Sequence, residues 1–229
     1  MRHNFDIPPV RQGTDSLKWQ RYGDALPLWV ADMDFLSPEP VLAALQERVA
    51  HGVFGYGAPP DALTETICAR MAEHYRWTVT PEQIVYLPGL VSGLNVVCRA
   101  IGEPGDEVLV QTPVYPPFLS APTNQDRRLL AAELTAEIRD GRLYYTIDDD
   151  AFAAAIGPRT QLFILCHPHN PVGRAFDTTE LTRLAAICER HDLAICSDEI
   201  HCDLLLDGRQ HVPFATLSPE IARRCITLM

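Results

Sequence analysis

The chain has 229 residues, 47% of them hydrophobic and 21% charged, with 19 Lys plus Arg against 30 Asp plus Glu and a formal net charge of −11. That length supports one large domain, or one and a half ordinary ones, around a sizeable core. The acidic balance leaves no basic footprint for nucleic acid, residues 1–13 carry no apolar signal-peptide core, and no run approaches membrane-spanning length, so the expectation is a cytoplasmic protein with no nucleic-acid and no membrane partner.

Residues 1–27 are polar, include the adjacent Pro8-Pro9 and show no period, which predicts an arm rather than a core element. A short apolar run, Leu28-Trp29-Val30-Ala31, ends in the acidic Asp32-Met33-Asp34-Phe35. Ser37-Pro38-Glu39 reads as a helix start with Ser as cap and Pro at the first helical position; Val41, Leu42, Leu45 and Val49 repeat on one face, and the helix should end near Gly52. The glycine-flanked aromatic loop Val53-Phe54-Gly55-Tyr56-Gly57 leads through Pro59-Pro60 into an amphipathic helix over about 61–76. Its Gly-x-Gly is followed by prolines and preceded by no strand, so a dinucleotide site is disfavoured.

Thr80-Pro81-Glu82-Gln83 has capping-box spacing, and 84–87 is an extended segment or strand. Pro88-Gly89 then opens a helix over 90–101, where a glycine turn offers free N–H groups suited to a phosphate but equally suited to an ordinary tight turn. Strands are predicted at 107–111, 129–134, 161–166, 193–197 and from Cys225, with a short extended segment at 143–147. Helices are predicted at 148–156 and from Asp177-Thr178-Thr179-Glu180 to about His191, and a hairpin turn at Asp207-Gly208. A strand that begins at Cys225 and stops at Met229 suggests a truncated fold.

The seven Cys include no Cys-x-x-Cys pair and several sit in apolar runs, as small buried hydrophobes in a reducing compartment do. Cys166-His167-Pro168-His169 and His201-Cys202 lack zinc-ligand spacing, so no metal is expected. Lys18, in the polar arm, is the single Lys among the 19 basic residues.

Three strand ends carry chemistry. Tyr115 lies in a proline-stiffened loop after the 107–111 strand, Asn170 sits among Pro168, Pro171 and Gly173 after the 161–166 strand, and Ser197-Asp198-Glu199-Ile200-His201 closes an apolar run. Open α/β sheets bind ligands at such edges. Asp198 or Glu199 could equally cap a loop or pair with an Arg. Together with Gly89 the set suits pyridoxal 5'-phosphate: an aromatic to stack on the pyridine, an amide for the phenolic oxygen, and a buried carboxylate to keep the ring nitrogen protonated.

Five segments in order, 30–35, 51–56, 112–115, 170–173 and 197–201, make the chain resemble the N-terminal part of a fold type I pyridoxal-phosphate enzyme of the class I/II aminotransferase superfamily, within it the MalY/PatB group of cystathionine β-lyase-like C–S lyases. The resemblance implies an α/β three-layer sandwich with a mostly parallel sheet. It places residues 1–50 as arm and first helix with the small domain and 51–229 in an incomplete cofactor-binding large domain, the C-terminal small domain being missing.

It also implies that Gly89 and Leu90 give N–H groups to the phosphate, that Tyr115 stacks on the ring, that Asn170 holds the phenolic oxygen and that Asp198 holds the pyridine nitrogen. His201 stands where many relatives have a Tyr that reaches the phenolic oxygen, so its role is the least determined. Tyr56 matches a residue that reaches the neighbouring subunit's phosphate, which implies a homodimer, and Asp32 and Asp34 belong to a segment lining the substrate entrance. The Schiff-base Lys is expected beyond Met229. The implied activity is cleavage of cystathionine or a related cysteine conjugate to thiol, pyruvate and ammonia, with this chain alone expected to be inactive. An aminotransferase, and a non-catalytic fragment or pseudoenzyme acting by protein contact, are the rival readings.

Overall fold

A computed structural model describes residues 4–206 and 208–229. The chain divides into two compact units, Met1–Ala58 and Pro59–Met229.

The first unit holds a short helix α1 (Leu17–Gln20) and helix α2 (Glu39–His51). Pro38, not Ser37, is the N-cap of α2 and no side chain caps it, while Gly52 ends it at φ 75°, a left-handed turn that favours glycine. The 28–31 run is not a strand, and Val41, Leu42, Leu45 and Val49 on α2 are exposed. The order in this unit comes instead from charge. Arg11 reaches Asp32 Oδ2 and Asp34 Oδ1, both at 2.6 Å, Lys18 Nζ donates to Asp34 Oδ2 and to the Asp32 carbonyl, each at 2.7 Å, and the Trp19 indole donates to Asp34 Oδ1 at 2.9 Å.

The second unit begins with α3 (Asp61–Tyr75), a 3₁₀ turn at Pro81–Gln83, and α4 (Leu90–Ala100). It continues through β1 (Glu107–Thr112), α5 (Pro116–Asn124), β2 (Arg128–Glu133), β3 (Thr135–Arg139), β4 (Arg142–Thr146) and α6 (Asp149–Ala154). Then come β5 (Thr160–Cys166), α7 (Thr178–Arg190), β6 (Ala194–Asp198), a 3₁₀ turn at Phe214–Thr216, α8 (Pro219–Arg224) and β7 (Cys225–Leu228). Five strands form a sheet in the order β2-β1-β5-β6-β7, with every neighbouring pair parallel.

Because successive strand residues face opposite sides, β5 sends Leu162, Ile164 and Cys166 to one core and Phe163 and Leu165 to the other. The first core adds Leu94, Val97 and Cys98 of α4 and Phe118 and Ala121 of α5. The second adds Phe152 of α6, Leu181, Leu184 and Cys188 of α7, and Ile221 of α8. The result is the expected helix–sheet–helix sandwich.

Four local readings need correction. Residues 84–87 form no strand. The stiff loop after Tyr115 is helix α5, because Pro is well suited to a first helical turn, where its missing N–H would have no partner. A hairpin pairs β3 with β4 around Asp140 and Gly141, at φ 51° and 74°. The hairpin expected at Asp207-Gly208 is not found: Asp207 lies outside the described residues, and the residues described on either side form no strand.

All seven cysteines are free thiols. Among the described residues, no three His, Cys, Asp or Glu side chains gather as a metal site, and no helix is long and apolar enough to cross a membrane.

Candidate functional site

The parallel sheet carries the loops after β1, β5 and β6 out of the same edge. Cys166 pairs with Asp198, and Asp198 pairs with Leu228, so β5, β6 and β7 end level with one another. The Tyr115 N–H donates to the Asn170 carbonyl at 3.0 Å, which ties the loop after β1 to the loop after β5. A Cβ added at Gly93, one turn into α4, would lie 3.1 Å from Leu228 Cδ2, so the first turns of α4 pack on the end of β7. The fold thereby gathers Gly89, Leu90, Tyr115, Asn170 and Asp198 around one sheet edge.

Each has the character its chemistry needs. Gly89 is the N-cap of α4 at φ 104°, a region that Cβ-bearing residues rarely occupy, and no side chain caps the helix. The N–H groups of the first turn are therefore open to an anion at the positive end of the helix dipole. Tyr115 is 39% exposed, leaving a ring face available. The Asn170 side-chain amide makes no hydrogen bond among the described residues; the Asn170 N–H is turned toward Cys166 Sγ at 3.3 Å.

Asp198 is 3% exposed, and among the described residues the one hydrogen bond to its carboxylate is the Ile200 N–H on Oδ1 at 3.2 Å. Burial pushes its carboxyl up to about 6, opposed by that N–H bond, while the neighbouring Glu199 pushes in the same direction as burial. A buried carboxylate with an unused oxygen is matched to a cationic N–H partner.

The remaining predicted residues stand differently. His201 is half-buried in the turn after Asp198, and its carbonyl accepts the Leu204 N–H at 2.9 Å. Tyr56 is fully exposed in the first unit. Asp32 and Asp34 are committed to Arg11, Lys18 and Trp19, and those bonds, Lys18 foremost, hold the Asp34 carboxyl down at about 2. Lys18 itself is 8% exposed and doubly bonded there.

Beneath Asp198 lies a network that residue patterns did not reveal. Glu199 is fully buried and pairs with His211 Nε2 at 2.6 Å through Oε2, while its Oε1 accepts Ser197 Oγ at 2.7 Å and the Phe214 N–H at 2.9 Å. The His211 ring stacks on His167 at 4.7 Å, and the His167 N–H donates to the Asp198 carbonyl at 2.9 Å. The circuit from Asp198 through His167 and His211 back to Glu199 closes around the Asp198–Glu199 peptide. Burial holds His167 down at about 3, so its ring packs as a neutral one. The available signal was a histidine, His211, heading the apolar 212–215 run, which marks a buried partner without naming it.

Residues 24–228 match the family described as aminotransferase class I and II. The chain is 43% identical to cystathionine beta-lyase PatB of Bacillus subtilis over 231 aligned residues, covering 98% of this chain and 59% of that protein. Among solved structures it superposes on OvoB with a TM-score of 0.90 at 44% identity, covering 98% of this chain and 59% of that one. It superposes on cystalysin from Treponema denticola, a structure containing pyridoxal 5'-phosphate, with a TM-score of 0.90 at 33% identity, covering 99% and 59%. The chain thus spans about three-fifths of the length of these relatives, 59% of each.

Proposed function

The chain belongs to the aminotransferase class I and II family, and from that premise we propose that its sheet edge is the pyridoxal 5'-phosphate site of a carbon–sulfur β-lyase. The observation that carries the reading is Asp198: a buried carboxylate, raised to about 6, with one backbone bond and a free oxygen at the end of a central strand. The residues fit the cofactor. The uncapped α4 terminus behind Gly89 suits its phosphate, the exposed Tyr115 face its ring, and the unbonded Asn170 amide its phenolic oxygen.

In this reading the Leu90 N–H and its neighbours in the first turn bind the phosphate with the helix dipole. Tyr115 covers one face of the ring and excludes water from it. Asn170 donates an N–H to the phenolic oxygen. Asp198 keeps a proton on the pyridine nitrogen, and His201 lies close enough in sequence to support the same edge. The cofactor, so held, supplies a cationic ring that takes up the electron pair freed when the substrate's α proton leaves. Loss of a thiolate from the β carbon, with water, then gives thiol, pyruvate and ammonia from cystathionine or a related cysteine conjugate.

Lys18, the single Lys, is bonded within the arm, so the amine that carries the cofactor and moves the α proton must come from outside these residues. The activity is proposed for a protein that carries the remaining length of the relatives. We place residues 1–50 with the small domain and the protein in the cytoplasm as a homodimer, with Tyr56 serving the partner's site and the Asp32–Asp34 segment, held by Arg11 and Lys18, lining the entrance.

The test is L-cystathionine with such a protein. Pyruvate released without an amino acceptor establishes the lyase; strict dependence on a 2-oxo acid means an aminotransferase, the activity that names the family. The 229-residue chain by itself should release none. Turnover by it would overturn the reading, and cofactor binding without turnover in the longer form would leave a non-catalytic role.

A further inference from the structure

We infer that His169 is a positioning residue, stapling the loop after β1 to the loop after β5 so that Tyr115 and Asn170 are held at a set spacing across the site. The inference rests on the reading that a flat cofactor lies between those two side chains.

His169 is 2% exposed, and its Nε2 lies 2.9 Å from the Pro113 carbonyl. A carbonyl only accepts, so Nε2 carries the proton. Nδ1 is then the bare nitrogen of a neutral ring, and it is buried. Burial also lowers the ring's affinity for a second proton. The edge of the Phe176 ring, with centroids 5.7 Å apart at 69°, blocks rotation of the imidazole.

The His169 backbone is fixed as well, its N–H donating to the Arg174 carbonyl at 2.6 Å and its carbonyl accepting from Gly173 at 2.9 Å. The other side of the staple is short of donors, because Pro113, Pro116 and Pro117 have no N–H. Two bonds therefore lace the loops: Tyr115 N–H to the Asn170 carbonyl, and the side chain next to Asn170 to the carbonyl two residues before Tyr115. The first bond leaves the β1 loop free to pivot about Tyr115; the second removes that pivot.

The test uses the full chain with pyridoxal 5'-phosphate as probe. The readouts are its dissociation constant and the circular dichroism that this achiral cofactor acquires per mole bound. His169→Phe keeps the ring but removes the donor; it should lose at least half of the induced signal per bound cofactor and weaken binding about five- to tenfold, the scale of one lost hydrogen bond. His169→Gln, whose amide nitrogen can stand at the Nε2 position, should keep the wild-type signal. A merely structural histidine would lower stability in both variants and leave the signal per bound cofactor unchanged, which would overturn the staple. Nitrogen-15 spectra of the wild-type chain decide the matter even if His169→Phe does not fold, since a proton on Nδ1 rather than Nε2 excludes the bond. Failure of the underlying reading looks different: the wild type itself would show no induced signal, or Tyr115→Ala would leave it intact.

Discussion

At the scale of single residues, the fold treats two acids in opposite ways. Asp34 is stabilised as an anion by Lys18, Trp19 and Arg11, whereas Asp198 is penalised as one by burial. The folded Asp198 carboxyl near 6 lies above its unfolded value of about 3.9, so between those values the native chain binds more protons than the unfolded one. Stability should therefore fall as pH rises from about 4 to about 6 and stay lower above it. Asp198→Asn should flatten that slope and raise stability at pH 7 by about 1–3 kcal/mol in urea unfolding without cofactor, while weakening cofactor binding. Glu199 and His211, buried together, form a pair whose halves are worth most while both are present. His211→Ala should cost about 3 kcal/mol or more, because it strands a carboxylate that keeps two donors, Ser197 and Phe214. A cost under about 1 kcal/mol by the same unfolding measurement would show that water or a proton replaces the imidazole easily.

Among the elements, helices with start, stop or period signals and strands with covered faces were readable, and exposed strands were not. Helix α7 announces itself through Asp177 and Glu180, and the structure forms both bonds of the capping box at 2.9 Å, with Arg174 Nη2 donating to both Glu180 oxygens. Asp177→Ala should lower the unfolding free energy by about 1 kcal/mol, read as a shifted urea midpoint at unchanged slope. β5 and β6 were legible as continuous apolar runs because both of their faces are covered. The β3–β4 hairpin was not, since its residues are mostly exposed and carry no burial period. The dipeptide Asp-Gly occurs at 140–141 and at 207–208, and the first is a hairpin because strands pair on both sides of it. A turn signal needs partners, which only the paired chain supplies.

At the scale of the whole molecule, the two compact units meet in sequence at Ala58 and Pro59, just after the exposed Phe54 and Tyr56. Chymotrypsin should cut at these aromatics in dilute protein, leaving a fragment that begins near Gly55 or Gly57. If Tyr56 reaches a partner subunit, raising the protein concentration should slow that cut more than about tenfold, in step with the dimer seen by sedimentation. Cleavage that ignores concentration would remove Tyr56 from any such interface.

The amino-acid sequence by itself determined the sandwich and the sheet edge proposed for the cofactor. Apolar runs bounded by Asn170 and Asp198 leave little freedom in where β5 and β6 end, and period and capping are local properties of the chain. The tertiary structure alone decided what surrounds those residues. Glu199 finds His211 twelve residues on, the His169 side chain finds the carbonyl of Pro113, and Asp34 finds Lys18, because hydrogen-bond partners are set by distance in space after packing. Burial likewise, and with it the shift of Asp198, exists only once the sheet and its helices have closed around that carboxylate.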